Sequence, residues 1–243
     1  MRINNDEKER IDLEVWETED LNSVESMIHR VSEMPVMFEK MKTFKNIFGN
    51  ARDVLEIGGG HCWASCLVKW RYPQATVTGS DIVPKAFEGT RFYERMLDVK
   101  LDRELVCMSY EIGVPDSSLD LVFAFAAAHH FGRHRSTLKE LARVLKPGGS
   151  ALYMHEPACP PVWYPLAHWR VNRHGYGAPE DLLLTGKLAL LALEAGLTTK
   201  VVLAPTGTNR RLGSGLYYAA LRKLPVLQRV MPCSVDIVFT KPK

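Results

Sequence analysis

The stretch VLEIGGGHCWASC, residues 54–66, holds two sets of residues whose types and spacing could do chemistry. Glu56, Gly58 and Gly60 have the make-up of a ligand-binding turn, because glycine lets the backbone bend sharply and come close to a ligand. His61, Cys62 and Cys66 carry metal-ligating atoms, and a helix would put the two thiols on one face. A zinc site wants four ligands, usually as paired short spacings. No second pair accompanies this one, and free cysteines also pack as small hydrophobes. The metal reading is therefore set aside, and no metal is expected. Further along, His129, His130 and His155 titrate near neutrality and can take a proton from a hydroxyl or an amine. Glu156 follows the last of them.

The elements that must position these groups alternate along the chain. Strand-like runs fall at DVLEI (53–57), ATVTGSD (75–81), ELVCM (104–108), LDLVFAFA (119–126) and SALYMHE (150–156). Segments of helical length separate them. In STLKELARVL (136–145) the apolar positions 138, 141, 142 and 145 describe one helical face, and KPGG stops it. Strands with helical crossovers imply an α/β, doubly wound, mostly parallel sheet. A helix ending at EAGL (194–197), a strand TKVVLA (199–204) and a last strand SVDIVFTK (234–241) bring the count to seven. Three pieces fall outside the alternation: a mostly helical segment over 1–50, and the insertions 157–179 and 205–232. They are read as parts of one domain, 1–243, with 51–156 as its ligand-binding core and the insertions as caps.

The chain of 243 residues is 46% hydrophobic and 24% charged, ordinary for a folded domain with a sizeable core. No run of about twenty apolar residues predicts a membrane span. The polar N-terminus MRINNDEKER lacks an apolar signal core, so a cytoplasmic protein is expected. Five cysteines without a secretory signal read as free thiols. The net charge of +3 is too small to argue for nucleic acid. Its distribution is uneven: residues 1–20 carry eight acids and three bases, whereas 205–243 carry seven bases and one acid.

The glycine turn departs from the dinucleotide fingerprint G-x-G-x-x-G, because Trp63 occupies the last glycine position. It fits E-x-G-x-G-x-G instead, with Cys62 at the final place, and so resembles motif I of the class I S-adenosylmethionine-dependent methyltransferases. The same family pattern is matched by GSDI (79–82), by VPDSSLDLV (114–122), by AHHF (128–131, with Ala128 in place of Leu) and by LKELARVLKPGGSALYMHE (138–156). These motifs span residues 53–156 in order. The resemblance implies a Rossmann-like methyltransferase fold, S-adenosyl-L-methionine as cofactor, and transfer of its methyl group to an acceptor. It implies that Glu56, Gly58, Gly60, Asp81, Ile82, Met108, Ser109, Phe125 and Ala126 bind the cofactor. Asp81 would hold the ribose hydroxyls, which a carboxylate can accept as a pair.

On the acceptor side the resemblance places His129, His130 and His155 near the transferred methyl as candidate bases. A base is needed only if the acceptor must lose a proton. Glu156, Trp163, Tyr164 and Trp169 are candidate substrate-binding residues, with His168 beside them; Arg210 and Arg211 could hold a carboxylate or phosphate. LYYAALRKLPVLQRVMP (216–232) could dimerise, close the pocket or touch a membrane, and Pro225 interrupts it as a helix. A small-molecule acceptor, with no nucleic acid partner, is the leading expectation. FAAAHHF stands where base-modifying relatives carry N-P-P-Y or D-P-P-Y. An RNA or protein acceptor, or a non-catalytic binding protein on this fold, are the alternatives.

Overall fold

The computed structural model describes residues 23–173, 180–205 and 212–243. Before the first strand lie α1 (Val24–Thr43) and α2 (Lys45–Asn50). The Ser23 hydroxyl caps α1 by accepting the Ser26 N–H at 3.2 Å. Val36, Met37, Lys40 and Met41 form the buried stripe of α1, at one-turn spacing. The alternation then runs β1 (Asp53–Glu56), α3 (Trp63–Arg71), β2 (Thr76–Asp81), α4 (Ala86–Leu97), β3 (Arg103–Val106), β4 (Leu119–Phe125), α5 (His134–Val144) and β5 (Leu145–Ala158). After β5 come α6 (Tyr164–Asn172), α7 (Thr185–Glu194), β6 (Thr198–Leu203), α8 (Leu212–Lys223), α9 (Pro225–Val230) and β7 (Cys233–Thr240). No described helix is long and apolar enough to cross a membrane.

The sheet has seven strands in the order β3-β2-β1-β4-β5-β7-β6, and β7 runs antiparallel to both its neighbours. The α/β, doubly wound, mostly parallel arrangement expected from the sequence is therefore observed. Its two faces are covered by two cores that divide successive strand residues between them. Val54, Leu121, Phe123 and Leu152 face α1–α3, while Leu55, Val122, Ala124, Ala151 and Tyr153 face α5 and α7. This is why the inner strands read as continuous apolar runs.

Strand order reverses between β1 and β4, and on such sheets ligands bind beyond the carboxyl ends of the strands at that point. β1, β2, β4 and β5 all deliver their carboxyl ends to this edge, and β7 starts there because it runs the other way. Pro225 divides the second insertion into α8 and α9, as the sequence suggested.

Candidate active site

The edge is built around the turn that follows β1. Gly58 and Gly60 have φ of +67° and +53°, in the left-handed region that a side chain disfavours. A Cβ on Gly58 would lie 3.1 Å from the Ala127 Cβ and 3.4 Å from the Phe131 ring. At Gly60 it would enter open space among the described residues, so this backbone faces the crevice. The turn is tied to β2 by the Gly59 N–H, which donates to the Ser80 carbonyl at 2.7 Å.

Glu56, at the end of β1, is fully buried beneath the turn. Its Oε2 accepts the Ser65 N–H at 3.0 Å and the Ser65 hydroxyl at 2.5 Å. Burial pushes its carboxyl up to about 8, against the pull of the Ser65 bonds. Through Ser65 these contacts tie the end of β1 to α3 beneath the turn. Asp81, at the end of β2, reaches across: Oδ2 accepts the Gly60 N–H at 2.7 Å and Oδ1 the Val83 N–H at 2.9 Å. Burial raises its pKa, and the two N–H bonds oppose that rise. Ile82 follows, half-buried. Met108 bridges to Glu111 beyond β3, and the Ser109 and Thr137 hydroxyls lie 2.9 Å apart. Phe125 packs edge-on against Trp63 at 5.2 Å, and Ala126 turns with a φ of +49°.

The candidate metal ligands of the opening stretch are all buried. Cys62 and Cys66 are free, fully buried thiols whose pKa values are pushed up, chiefly by desolvation. His61 is buried beside Tyr93, neither ring nitrogen is hydrogen-bonded among the described residues, and burial drops its pKa to about 4.

Beyond β4 and β5 the histidines sort into different environments. Glu156, expected to touch the substrate, is instead turned into the protein and completely buried. It accepts the N–H groups of Ala127, Ala128 and His129 at 2.9–3.1 Å and contacts His129 Nδ1 at 2.8 Å. The carboxylate thus anchors the post-β4 loop, and its contacts are with that loop and His129. His129 is held from both sides, with Nε2 3.0 Å from Glu180 Oε2. Burial favours the neutral ring, but the bonds to Glu156 and Glu180 outweigh it and raise its pKa to about 9. Near neutral pH His129 is thus an imidazolium between two carboxylates. Asn172, the last residue of α6, fixes Glu180 in place: its amide accepts the Glu180 N–H at 3.0 Å and donates to the Glu180 carbonyl at 2.8 Å. The His130 ring lies 4.1 Å from that of His129. Among the described residues, His129, His130 and Glu180 form the one group whose donor atoms converge closely enough to hold a metal ion.

His155 sits on a β-bulge, where the register of β5 against β7 slips between Tyr153 and Glu156. Its φ of +60° is unusual for a residue with a side chain, and its ring stacks on Phe125 at 5.4 Å. The bulge is secured by Asp236, whose Oδ1 accepts the His155 N–H at 2.9 Å. Asp236 Oδ2 in turn meets Lys40 of α1 at 2.7 Å, a buried ion pair that fastens the N-terminal helix beneath the site. Ser65, Ser80, Lys40, Glu180 and Asp236 were not singled out from the sequence; each acts through a partner distant along the chain.

The aromatic residues of the first insertion do not converge into one wall. The Trp163 indole N–H donates to the Val230 carbonyl at 2.7 Å, the Tyr164 hydroxyl to Asp181 at 2.7 Å, and Trp169 is 60% exposed. His168 stacks on Tyr164 at 5.4 Å. Arg210 and Arg211 lie outside the described residues. A cleft of about 460 Å³ opens instead where β5, β6 and β7 reach the same edge. It is bounded by Cys159, Pro160 and Val235, by Lys187 of α7 and by Arg229 and Met231 at the end of α9.

A family model described as a methyltransferase domain matches residues 55–153, the stretch that builds this edge. The chain is 31% identical over 100 residues to the fatty-acid O-methyltransferase of Mycolicibacterium smegmatis. That alignment covers 41% of this chain and about a third (35%) of the relative's length. Among solved structures, a Galdieria sulphuraria protein assigned as a sarcosine dimethylglycine methyltransferase matches 97% of this chain and 98% of its own. Its TM-score is 0.65 at 17% identity. The geranyl diphosphate C-methyltransferase of Streptomyces coelicolor, solved with Mg2+, geranyl diphosphate and S-adenosyl-L-homocysteine, also gives 0.65. There the identity is 12%, over 84% of this chain and 77% of that one. At such identities these two likenesses speak for the fold.

Proposed function

We infer that this chain is a class I S-adenosylmethionine-dependent methyltransferase and transfers a methyl group to a small-molecule acceptor. The observation that carries the reading is the junction of Asp81 with the Gly58–Gly60 turn. An acceptor-only carboxylate and the uncovered backbone at Gly60 meet at the point where the strand order reverses. Asp81 would hold the ribose diol, the glycine backbone would lie along the methionine part, and Met108 and Ser109 would flank the adenine. Ile82 would sit beside the ribose, and Phe125 with Ala126 would lie next to the sulfonium.

The cofactor supplies an already activated methyl, so the protein's share is alignment and exclusion of water. His129 is assigned a positioning role, because both its nitrogens face carboxylates. His155, presented by the bulge over Phe125, and His130 are the proposed proton acceptors. The cleft at the β5–β7–β6 edge suits a small molecule in size, and its Lys187 and Arg229 suit an anionic group on it. A fatty acid, the acceptor class in the name of the Mycolicibacterium relative, carries an anionic group of this kind.

The test is calorimetric titration of S-adenosyl-L-homocysteine into the protein and into Asp81→Ala. Losing charge-assisted bonds to the diol should weaken binding by at least about 30-fold while circular dichroism stays unchanged. Unchanged affinity in a folded variant would remove the ribose assignment and with it this reading of the edge.

A further inference from the structure

The two insertions after β5 share a property that the methyl-transfer chemistry does not use. Residues 157–179 and 205–233 contain no Asp or Glu, although the chain has 28 acids. They contain seven bases: Arg170, Arg173, Arg210, Arg211, Arg222, Lys223 and Arg229. The described parts of these insertions also expose large apolar side chains. On the α6 side, Val162 is 79%, Leu166 56% and Trp169 60% exposed, at spacings of four and three residues that align them on one face. On the α8–α9 side, Leu216 is 66% exposed and Val226 76%, with Val230, one turn on from Val226, also uncovered.

The helices lie together. The Trp163 indole bonds the Val230 carbonyl, and Arg170 is close enough to Tyr217 of α8 for its charge to act on the phenol. Pro160, Pro161 and Arg229 of the same elements form the rim of the 460 Å³ cleft. The acids that the contacts identify beside this face, Glu180 and Asp181, are taken up, Glu180 by His129 and Asp181 by the Tyr164 hydroxyl and the Leu182 N–H.

Exposed apolar side chains interleaved with bases and free of acids are the composition of a surface that lies in the headgroup layer of an anionic membrane. An uncovered tryptophan beside arginines favours that layer as well, since the indole sits well at a membrane interface. A nucleic acid would use the bases but not Val162, Leu166 and Val226. We propose that the α6–α8–α9 face docks on a bilayer bearing anionic lipids, with the mouth of the cleft at the membrane surface. Contact with the bilayer is independent of the methyltransferase reading; that the acceptor enters from the bilayer rests on that reading.

The experiment is co-sedimentation of the full chain with vesicles of phosphatidylglycerol and phosphatidylcholine, and with vesicles of phosphatidylcholine alone, at roughly 0.1 M salt. Binding is expected to the anionic vesicles only and to weaken as salt rises. Leu166→Asp with Val226→Asp should reduce it more than tenfold. Charge reversal at Arg170 and Arg222, which keeps the apolar residues and guards against a folding defect, should cost about fivefold or more per site. S-adenosyl-L-homocysteine affinity, measured in parallel, should be unchanged in both pairs. Failure to bind anionic vesicles, or binding that neither pair of substitutions weakens, overturns the proposal. So does binding to single-stranded RNA in place of vesicles, or a dimer in solution that the Leu166 and Val226 substitutions dissolve. Loss of vesicle binding with intact cofactor affinity would leave the methyltransferase reading standing, and the reverse result would remove only that reading.

Discussion

Glu56 offers a quantitative check on how the cofactor turn is held. Its carboxyl is completely buried, and its pKa stands at about 8 against an ordinary 4.5. Between those values the unfolded chain has released a proton that the folded chain keeps. Stability therefore falls as pH rises through this window, by up to about 1.4 kcal/mol per pH unit, and is independent of this group above and below it. Integrated from about pH 5.5 to about pH 7.5, the loss is about 2 kcal/mol. Glu56→Gln keeps an acceptor for the Ser65 N–H and hydroxyl but cannot ionise, so its stability curve lacks this component. Urea unfolding of both proteins at matched ionic strength gives the difference directly, and other titrating groups largely cancel in it. The variant should gain about 2 kcal/mol relative to the parent across that interval. Curves that stay parallel within about 0.5 kcal/mol would mean that Glu56 is ionised in the fold, the Ser65 bonds outweighing burial, and would refute the reasoning.

Two further outcomes follow from the same contacts. Glu156→Gln should destabilise the fold by about 3 kcal/mol, because only one of its two terminal atoms can still accept: the carbonyl oxygen can keep the Ala127 and Ala128 N–H bonds, but the amide NH2 faces the His129 N–H and ring Nδ1 and leaves them without their buried acceptor. His129 has its pKa raised from 6.5 to about 9, so the stabilisation it contributes is complete below the lower value and lost as pH rises through the upper one. The cost of Glu156→Gln should shrink accordingly between mildly acidic and alkaline urea titrations, and NMR should find the His129 pKa lowered. Gly79→Ala would bring a Cβ within 2.6 Å of the buried Cys62 sulfur and 2.8 Å of its Cβ. The expected cost is about 1–3 kcal/mol in thermal melts, with weaker S-adenosyl-L-homocysteine binding because Cys62 begins α3 beside the turn; pairing it with Cys62→Ala should restore part of both.

The topology was legible because each inner strand is an unbroken apolar run ending in glycine or a polar residue, and each crossover has helical length. The glycine turn was legible because its demands fall on residue types: positive φ at Gly58 and Gly60, and a carboxylate at the end of β2. What escaped depends on contacts between distant segments. Glu156 ends a strand at the active edge and so reads as a substrate ligand. Its direction is set by the bulge against Asp236, which puts two residues of β5 opposite one of β7, and no residue type at 154 or 155 announces it. His129 likewise reads as a base until Glu180, brought in by the end of α6, occupies its second nitrogen. Lys40 and Asp236 are 196 positions apart, and each alone looks like a surface charge.

The two sides of the edge are stabilised by different means, and this bears on how an acceptor reaches the methyl group. The proposed cofactor side rests on β1, β2 and β4, whose side chains are almost all buried. The proposed acceptor side rests on α6 and α9, nine and six residues long, neither of which buries a single side chain completely. Helices this short are marginal by themselves. Their positions depend on a few polar tethers: the Trp163 indole to Val230, the Tyr164 hydroxyl to Asp181, the Tyr217 hydroxyl to the Pro232 carbonyl, and Asn172 to the backbone of Glu180. Each such bond contributes about 1 kcal/mol, so the cap has far less holding it than the sheet does. Regions with few buried apolar contacts open locally at low cost. Because Asn172 also fixes Glu180, and Glu180 meets His129, an opening of α6 would reach the post-β4 loop without disturbing Asp81 or the glycine turn. On the proposed assignment, cofactor binding and acceptor entry would be separated, one resting on buried backbone and the other on side-chain tethers at the surface.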